Sequence, residues 1–241
     1  APGTQHNLDG WVHRGQVHML GVVDALMYPG TQAFMRFQHR TRLPQSVQQR
    51  ALDIASRFLR AVGFNHGFFN MEFLHDAAKG SVKVIEFKPR LASQLADLYR
   101  RVDGLDAHAG SMALANGDDP LPAMRCAAGA GAAASFVFRS FDPAHLPVMP
   151  SRDVQHAFAL AFPDGWLTPM PKRGSGLARD FKWLGSHRYG VMHLGGADEH
   201  DLLQRYRHAC SVLGWPATDL HAVPQPVRTT VPTHSLPEVA L

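Results

Sequence analysis

Two glutamates lie in neighbouring strand-like segments and could act as a pair. Glu72 lies in the run FFNMEFLHD and Glu86 lies in the run SVKVIEFK, and the short stretch AAKG between the runs predicts a β-hairpin. The separation is 86 − 72 = 14 positions, an even number, so both side chains can lie on one face and directly opposite each other. Opposed like charges repel, and a divalent cation between the two carboxylates would remove that repulsion. The spacing is compatible with such a cation site and also with two glutamates on a solvent-exposed face.

The same register fixes the pairing of the neighbouring residues. With the two glutamates opposed, Leu74 faces Val84 across the hairpin. Asn70 then faces Lys88, which is followed at once by Pro89 and Arg90. The end of the second strand is therefore predicted to carry a cluster of charges, held by a rigid hairpin.

These residues carry a resemblance to a known family. The run GFNHGFFNMEFLHDAAKGSVKVIEFKPRLASQLADLYRRVDGLD, residues 63–106, resembles the C-terminal half of an ATP-grasp domain, as found in carboxylate–amine ligases and biotin carboxylase. That family has a glutamate on one strand, the pattern Glu-x-Asn-x-Arg at the end of the next, then a helix and a Gly-hydrophobic-Asp sequence. The resemblance extends more loosely to NLDGWVHRGQVHMLGVVD and GSHRYGVMHLGG.

The resemblance implies a site and a reaction. Glu72 and Glu86 would hold Mg²⁺ ions that bridge the β- and γ-phosphates of ATP, and with Lys88 they would form the nucleotide-binding set. Arg90 would contact the transferred phosphoryl group or an acyl phosphate. Lys88 is expected either to contact a phosphate directly in place of one ion or to pair with Glu86. The implied activity is that of an ATP-dependent ligase that activates a small-molecule carboxylate as an acyl phosphate for attack by an amine.

Two departures from the family pattern leave an alternative open. Lys88 stands where the family has a metal-binding asparagine, and an ammonium group cannot coordinate Mg²⁺. The glycine-rich loop and lysines that hold the triphosphate in the family are not recognisable, and PKRGSG is interpreted as a surface loop. We therefore expect either a fragment of such a ligase, starting inside a domain, or a non-catalytic binding module with the same fold.

Composition narrows the class of protein. The 241 residues are 45% hydrophobic with a formal net charge of +4, and the basic residues form no stripe with interleaved aromatics, which argues against nucleic-acid binding. No apolar run approaches the length of a membrane span, and the two cysteines form neither a disulfide framework nor a zinc motif. A reducing cytoplasm fits best as the location. An oligomer is possible, but the sequence does not specify one.

Patterning predicts an α+β fold. Strands are expected within 11–26 and 33–38, in the two hairpin runs, in ASFVFRSF, and more weakly at 154–163 and 189–194. Helices are expected in LPQSVQQRALDIASRFLRAVG, with Phe58, Leu59 and Val62 as core residues, after Pro89, and in ADEHDLLQRYRHACSVLG. The Ala- and Gly-rich stretch 124–134 predicts either a flexible junction or a helical turn.

These elements suggest a division of the chain into three parts. Residues 1–122 are assigned to the C-terminal part of an ATP-grasp domain, with an antiparallel sheet and helices. Residues 123–222 form a smaller α/β segment, and residues 223–241, rich in Pro, Thr and Ser, form a flexible tail.

Overall fold

The protein is described by a computed structural model that covers residues 3–217. Within this range it is an α+β fold built on one antiparallel sheet, as the sequence predicts. The strands are β1 (Thr4–His13), β2 (Gln16–Met27), β3 (Phe34–His39), β4 (Gly67–Asp76), β5 (Ser81–Lys88), β6 (Ala132–Ser140), β7 (Trp166–Pro169) and β8 (His187–Gly196). The helices are α1 (Gln45–Ala61), α2 (Ser93–Asp103), α3 (Ala107–Ala115), α4 (Pro120–Met124), α5 (Arg152–Ala161), α6 (Gly174–Leu184) and α7 (Glu199–Leu213).

The sheet has the strand order β5-β4-β1-β2-β3-β6-β8-β7. Because β6 pairs with β3, the sheet continues across the expected division at residues 122 and 123. That division remains a prediction, and the tail expected at 223–241 lies outside the described residues. None of the described helices is long and apolar enough to span a membrane.

Strand alternation gives the sheet two different faces around the hairpin. Met71 and Phe73 of β4 point to one face, where they pack with Leu8 against α1. Asn70 and Glu72 point to the other face, which is covered by α2. The period of two therefore separates a dry core on the α1 side from polar groups on the α2 side.

Helix α1 packs through a stripe of residues four positions apart. Val47, Ala51, Ala55 and Leu59 are buried, as the 3.6-residue period requires. Phe58 and Val62, expected in the core, are instead 42% and 58% exposed because they lie off this stripe. Phe58 stacks on Phe87 of β5 at a ring-centroid distance of 4.1 Å, so α1 still supports the hairpin.

The first strands begin earlier than the pattern indicates. The single strand-like region expected at 11–26 is a hairpin of β1 and β2, and β1 starts at Thr4. Its two-residue turn, Arg14 and Gly15, has φ values of 51° and 78°, which suit the right-handed twist of a tight hairpin. The polar residues of TQHNLDG obscured the strand in the sequence because several of them are buried and paired inside the sheet.

Two other segments differ from expectation. Residues 154–163, expected as a weak strand, belong mainly to α5, which Ser151 caps by accepting a hydrogen bond from the Val154 amide. Ala132–Ala134, expected in a junction or helical turn, begin β6, where Ala133 packs with α2 and its two neighbours pack in the cluster with α7 on the other face. The strand expected at 189–194 is confirmed within β8, and the closing helix is confirmed as α7.

Candidate functional site

The hairpin places Glu72 directly opposite Glu86, as the even spacing predicts. Asn70 is likewise opposite Lys88. The register then shifts by one residue at Ile85, so Leu74 faces Lys83 and the expected pairing of Leu74 with Val84 is wrong. A β-bulge of this kind inserts one unpaired residue and twists an edge strand, which the spacing of charges does not reveal.

Lys88 bridges the two glutamates. Its ammonium group donates a short hydrogen bond to Glu72 and lies 3.1 Å from Oε2 of Glu86. Glu72 also accepts a 2.9 Å hydrogen bond from Nε2 of Gln5. Burial lowers the pKa of Lys88, but the hydrogen bonds and charges of the two glutamates outweigh burial and raise that pKa above its ordinary value. Lys88 is therefore charged and lies between two carboxylates.

The donor set can be tested against the Mg²⁺ that the resemblance implies. Glu72 is 14% exposed and Glu86 53% exposed, so one carboxylate is held in the wall and the other reaches into solvent. The place between them accommodates one cation, since an ammonium group already takes it. No group of three or more His, Cys, Asp or Glu side chains that could hold a metal exists among the described residues. The pair thus fits a single ion, once Lys88 has turned away.

Arg90 follows β5 and shares a cavity with this charge cluster. The cavity has a volume of about 220 Å³ and is lined by Glu72, Lys88 and Arg90, whereas Glu86 lies outside its lining. Among the described residues, the guanidinium of Arg90 donates only a 3.1 Å hydrogen bond, to the carbonyl of Leu91, so it is available to a ligand. Three of the four residues singled out from the sequence therefore line one space.

A buried polar network supports the floor of this cavity. Nδ2 of Asn70 donates to Oδ1 of Asp9 at 3.0 Å, and Tyr99 donates to Oδ2 of Asp9 at 2.6 Å. Burial raises the pKa of Asp9 to about 6, although hydrogen bonds from Tyr99 and Asn70 oppose that rise. Gly21 makes this contact possible because a Cβ there would lie 2.5 Å from the Tyr99 ring. The network fixes Asn70 beneath Lys88.

Sequence reasoning missed this network and a pair of arginines on the opposite wall. Arg139 of β6 and Arg188 of β8 are direct register partners, and both line the cavity with Arg90. Burial and the charge of Arg188 lower the pKa of Arg139. An arginine inside the apolar run ASFVFRSF was the available signal, because a charge in a buried strand needs a partner.

Unsatisfied polar atoms mark the same cavity. Nδ2 of Asn7 and Nε of Arg139 are buried and have no hydrogen-bond partner within residues 3–217. Their residues both line the cavity. Buried donors without partners are rare in folded proteins, so these two indicate a place where an acceptor group of a ligand would bind.

The described chain has the fold of part of an ATP-grasp enzyme, as residues 63–106 predict. It resembles the biotin carboxylase–beta-gamma-ATP complex from Campylobacter jejuni, with a TM-score of 0.62 at 15% identity, over 88% of this chain and 46% of that one.

Two other solved structures show the same likeness. N5-carboxyaminoimidazole ribonucleotide synthetase from Thermus thermophilus has a TM-score of 0.61 at 14% identity, over 90% of this chain and 52% of that one. Phosphoribosylglycinamide synthetase from Anaerococcus prevotii has a TM-score of 0.61 at 12% identity, over 88% of this chain and 52% of that one. The chain thus spans about half the length of these enzymes. No protein-family model matches the sequence, and no curated protein matches it in a sequence comparison.

Proposed function

We propose that this chain forms part of an ATP-dependent ligase that activates a small-molecule carboxylate as an acyl phosphate for attack by an amine. One observation carries the proposal. One strand carboxylate, Glu72, lines a single cavity with a lysine and three arginines in a chain with an ATP-grasp fold, and Glu86 is paired with Glu72 just outside that lining. The solved enzymes of this fold include the biotin carboxylase–beta-gamma-ATP complex.

The charge balance of the cavity favours a phosphorylated ligand. Among the described residues its lining carries Lys88, Arg90, Arg139 and Arg188 against a single carboxylate, that of Glu72. Guanidinium groups offer paired donors that match phosphate and carboxylate oxygens. The excess of positive charge would stabilise the negative charge that develops during phosphoryl transfer.

The hairpin residues then have distinct roles toward the nucleotide. Glu72 and Glu86 would hold one Mg²⁺, which, when bound, neutralises charge on the β- and γ-phosphates. Lys88 would leave the glutamates and donate to a phosphate oxygen. Arg90 would hold the acyl phosphate.

The opposite wall and the floor would position the substrate. Arg139 and Arg188 would hold the carboxylate that becomes phosphorylated, because both guanidinium groups border the same cavity as Arg90. Asp9 and Asn70 would keep the floor of the site in position through their buried hydrogen bond.

Two steps account for all bonds made and broken. A carboxylate oxygen of the substrate forms a bond to the γ-phosphorus of ATP while the bond to the β,γ-bridging oxygen breaks, and ADP leaves. The amine nitrogen then bonds to the acyl carbon, the bond from that carbon to the phosphate oxygen breaks so that inorganic phosphate leaves, and the departing phosphate takes up the proton that the amine loses. Arginines around the cavity would stabilise the oxygens that carry negative charge in both steps.

A non-catalytic binding module is the second candidate, and Lys88 favours it. The lysine already offsets one of the two negative charges and bridges both glutamates, so the chain could keep the fold without binding metal. The remaining expectations, a cytoplasmic location and a division of the chain at residue 122, are retained as part of the proposal.

Nucleotide binding by the 241-residue chain tests the proposal. We expect Mg-ATP to raise the midpoint of thermal unfolding, and Glu72→Gln and Arg90→Gln to abolish the rise, because a ligand specific to the folded state stabilises it. Asp53→Asn, on an exposed position of α1, is the matched control and should behave like the parent chain. Absence of any Mg-ATP effect on the parent chain would contradict nucleotide binding.

Lys88→Asn tests whether Lys88 limits the number of metal ions at the site. This variant introduces the family's metal ligand and removes the bridging ammonium group. If Lys88 limits the site to one ion, isothermal titration should give one Mg²⁺ per bound nucleotide in the parent chain and two in the variant. The same number of Mg²⁺ ions per nucleotide in the parent chain and the variant would refute this role of Lys88. Two Mg²⁺ ions per nucleotide in the parent chain would be the most direct contradiction.

A further inference from the structure

A second, larger cavity opens beside the first. It has a volume of about 630 Å³ and shares Ser93, Gln94 and Arg188 with the smaller cavity. One wall is a stripe of α2 that runs from Ser93 to Arg100, and the other wall is formed by β7 and β8. The volume falls in the range of about 300–1,000 Å³ that small-molecule sites occupy.

The β7–β8 wall of this cavity is largely apolar and aromatic. Trp166 pairs with His193 and Thr168 pairs with Val191, so these four side chains lie on one face, and Met170 continues the wall. Trp166 is 51% exposed although it is a large aromatic residue. A half-exposed tryptophan in the wall of a cavity is suited to contact with a planar ring.

A buried histidine forms part of the same wall. His193 is fully buried, and its Nδ1 lies 3.2 Å from Oδ2 of Asp97, which also accepts a 2.5 Å hydrogen bond from Nε of Arg101. Nε2 of His193 has no hydrogen-bond partner among the described residues, and the ring meets Trp166 edge-on at 4.7 Å. Burial alone would raise the pKa of Asp97, but hydrogen bonds from His193 and Arg101 hold that pKa at about 2. Asp97 therefore stays ionised, and its carboxylate fixes the orientation of the His193 ring.

The positive charge of Arg188, at the junction of the two cavities, determines which end of a ligand would lie there. Arg188 lines both cavities, and its side chain has no hydrogen-bond or ion-pair partner within residues 3–217. Its register partner, Arg139, carries the same charge, and like charges in directly opposed positions destabilise a sheet. An anionic group at Arg188 would relieve this repulsion, and it would lie next to Lys88 and Arg90.

We propose that the larger cavity binds the body of an aromatic carboxylic acid, with the ring against Trp166 and the carboxylate at Arg188. The role of this acid as the molecule that becomes phosphorylated rests on the proposed function, whereas its binding does not require a nucleotide. A cavity of this size is much larger than a one-carbon or two-carbon carboxylate needs. The substrate is therefore a ring-bearing acid with an apolar body.

Ligand-observed NMR titration of the 241-residue chain without nucleotide tests the binding. Indole-3-carboxylate serves as the probe, with indole-3-carboxamide and acetate as comparison ligands. We expect a dissociation constant in the millimolar range or tighter, roughly what about 12 non-hydrogen atoms provide at ordinary ligand efficiency. The amide, which lacks the charge, should bind about 10-fold more weakly, and acetate should not compete.

Matched variants locate the site. Arg188→Gln should weaken binding about 10-fold through loss of a charge-assisted contact, while Arg57→Gln, on the exposed side of α1, should leave it unchanged. Trp166→Ala should weaken binding about 5-fold or more, while Trp183→Ala, which lies outside this cavity, should not. Should Trp166→Ala fail to fold, Met170→Trp, which fills the rim of the cavity, should abolish binding instead.

Three results would overturn the inference: no binding of the probe up to about 10 mM, equal binding of the amide, or binding that Arg188→Gln leaves unchanged. Mg-ATP binding is measured on the same samples. Loss of the nucleotide effect with probe binding intact contradicts the proposed function alone, and the reverse contradicts the cavity assignment alone.

Discussion

Two parts of one sheet carry like charges in opposed positions, but only one of the two pairs has a counterion within the described chain. At the β4–β5 hairpin the opposed glutamates, Glu72 and Glu86, are bridged by Lys88 from the same hairpin. At the β6–β8 pair the opposed arginines, Arg139 and Arg188, have no carboxylate within ion-pairing distance among the described residues. The first charge pair has a counterion supplied by the chain, and the second has none in the part of the chain that the structure describes.

The difference indicates which pair needs a ligand. A pair with its own counterion keeps its geometry without help, so a metal at Glu72 and Glu86 must compete with Lys88. A pair of like charges without a counterion destabilises the sheet until an anion binds. We therefore expect Arg139 and Arg188 to bind an anion more readily than Glu72 and Glu86 bind a metal ion. Glu72 and both arginines border the 220 Å³ cavity, and Glu86 is the register partner of Glu72, so one ligand with metal and phosphate could satisfy both pairs.

The largest expected effect concerns the buried floor of the hairpin side. The pKa of Asp9 is about 6 in the folded chain and about 3.9 in an unfolded chain, so the folded state holds a proton that the unfolded state releases between these values. The stabilisation from this group is therefore complete below about pH 4 and is lost as pH rises through about 6. Asp9→Asn should remove this loss and raise the free energy of unfolding at pH 8 by roughly 1–3 kcal/mol.

Urea unfolding of the parent chain and Asp9→Asn from pH 4 to pH 8 measures this difference. Asp53→Asn, on the exposed side of α1, serves as control and should change the profile little. Parallel profiles for the parent chain and Asp9→Asn would show that Asp9 ionises normally in the folded chain.

A smaller change in stability is expected when Lys88, the counterion of the hairpin glutamates, is replaced. Lys88→Met leaves Glu72 and Glu86 opposed without a bridge, and it should lower the free energy of unfolding by about 1–2 kcal/mol. Addition of Mg²⁺ should restore part of this loss in the variant and add little to the parent chain. Urea unfolding with and without Mg²⁺ checks both statements.

Lys83→Met is the matched control, because Lys83 is exposed on the same strand. It should lose little stability and should not respond to Mg²⁺. If Lys88→Met were as insensitive to Mg²⁺ as this control, the carboxylate pair would not be a metal site.

The smallest effect is expected at the arginine pair. Inorganic phosphate at about ten times its dissociation constant should raise the free energy of unfolding of the parent chain by about 1.4 kcal/mol. Arg139→Gln should remove most of this gain, since one of the two opposed charges is gone. Thermal or urea unfolding in phosphate, compared with chloride at equal ionic strength, separates specific binding from screening. An equal stabilisation of Arg139→Gln by phosphate would show that the arginine pair does not bind the anion, and the proposed difference from the glutamate pair would then be wrong.

The structure confirms much of the fold that the residues predict. The helical stripe Val47, Ala51, Ala55 and Leu59 and the hairpin around AAKG follow directly from their periodicities. The bulge at Ile85 does not, because nothing in the alternation of residues shows where a ladder is interrupted. The strand β1 was only partly predicted, since Asn7 and Asp9 look like loop residues until their buried partners are known.

The candidate site divides in the same way. Glu72, Glu86, Lys88 and Arg90 lie within 19 positions of one another, so a local pattern was enough to single them out. Asp9 and Tyr99 are 90 positions apart and meet only because Gly21 lets the ring lie on the sheet. Arg139 and Arg188 belong to strands separated by two helices and a strand in the chain.

The sequence by itself determined the hairpin, its opposed glutamates and the lysine that replaces an asparagine, because a short loop and a period of two fix those neighbours. The tertiary structure alone decided that Lys88 bridges the glutamates, that two arginines face each other, and that a 630 Å³ cavity adjoins the site. The physical reason is distance along the chain: pairing between remote strands and helices depends on the packing of the whole core, which no local spacing encodes.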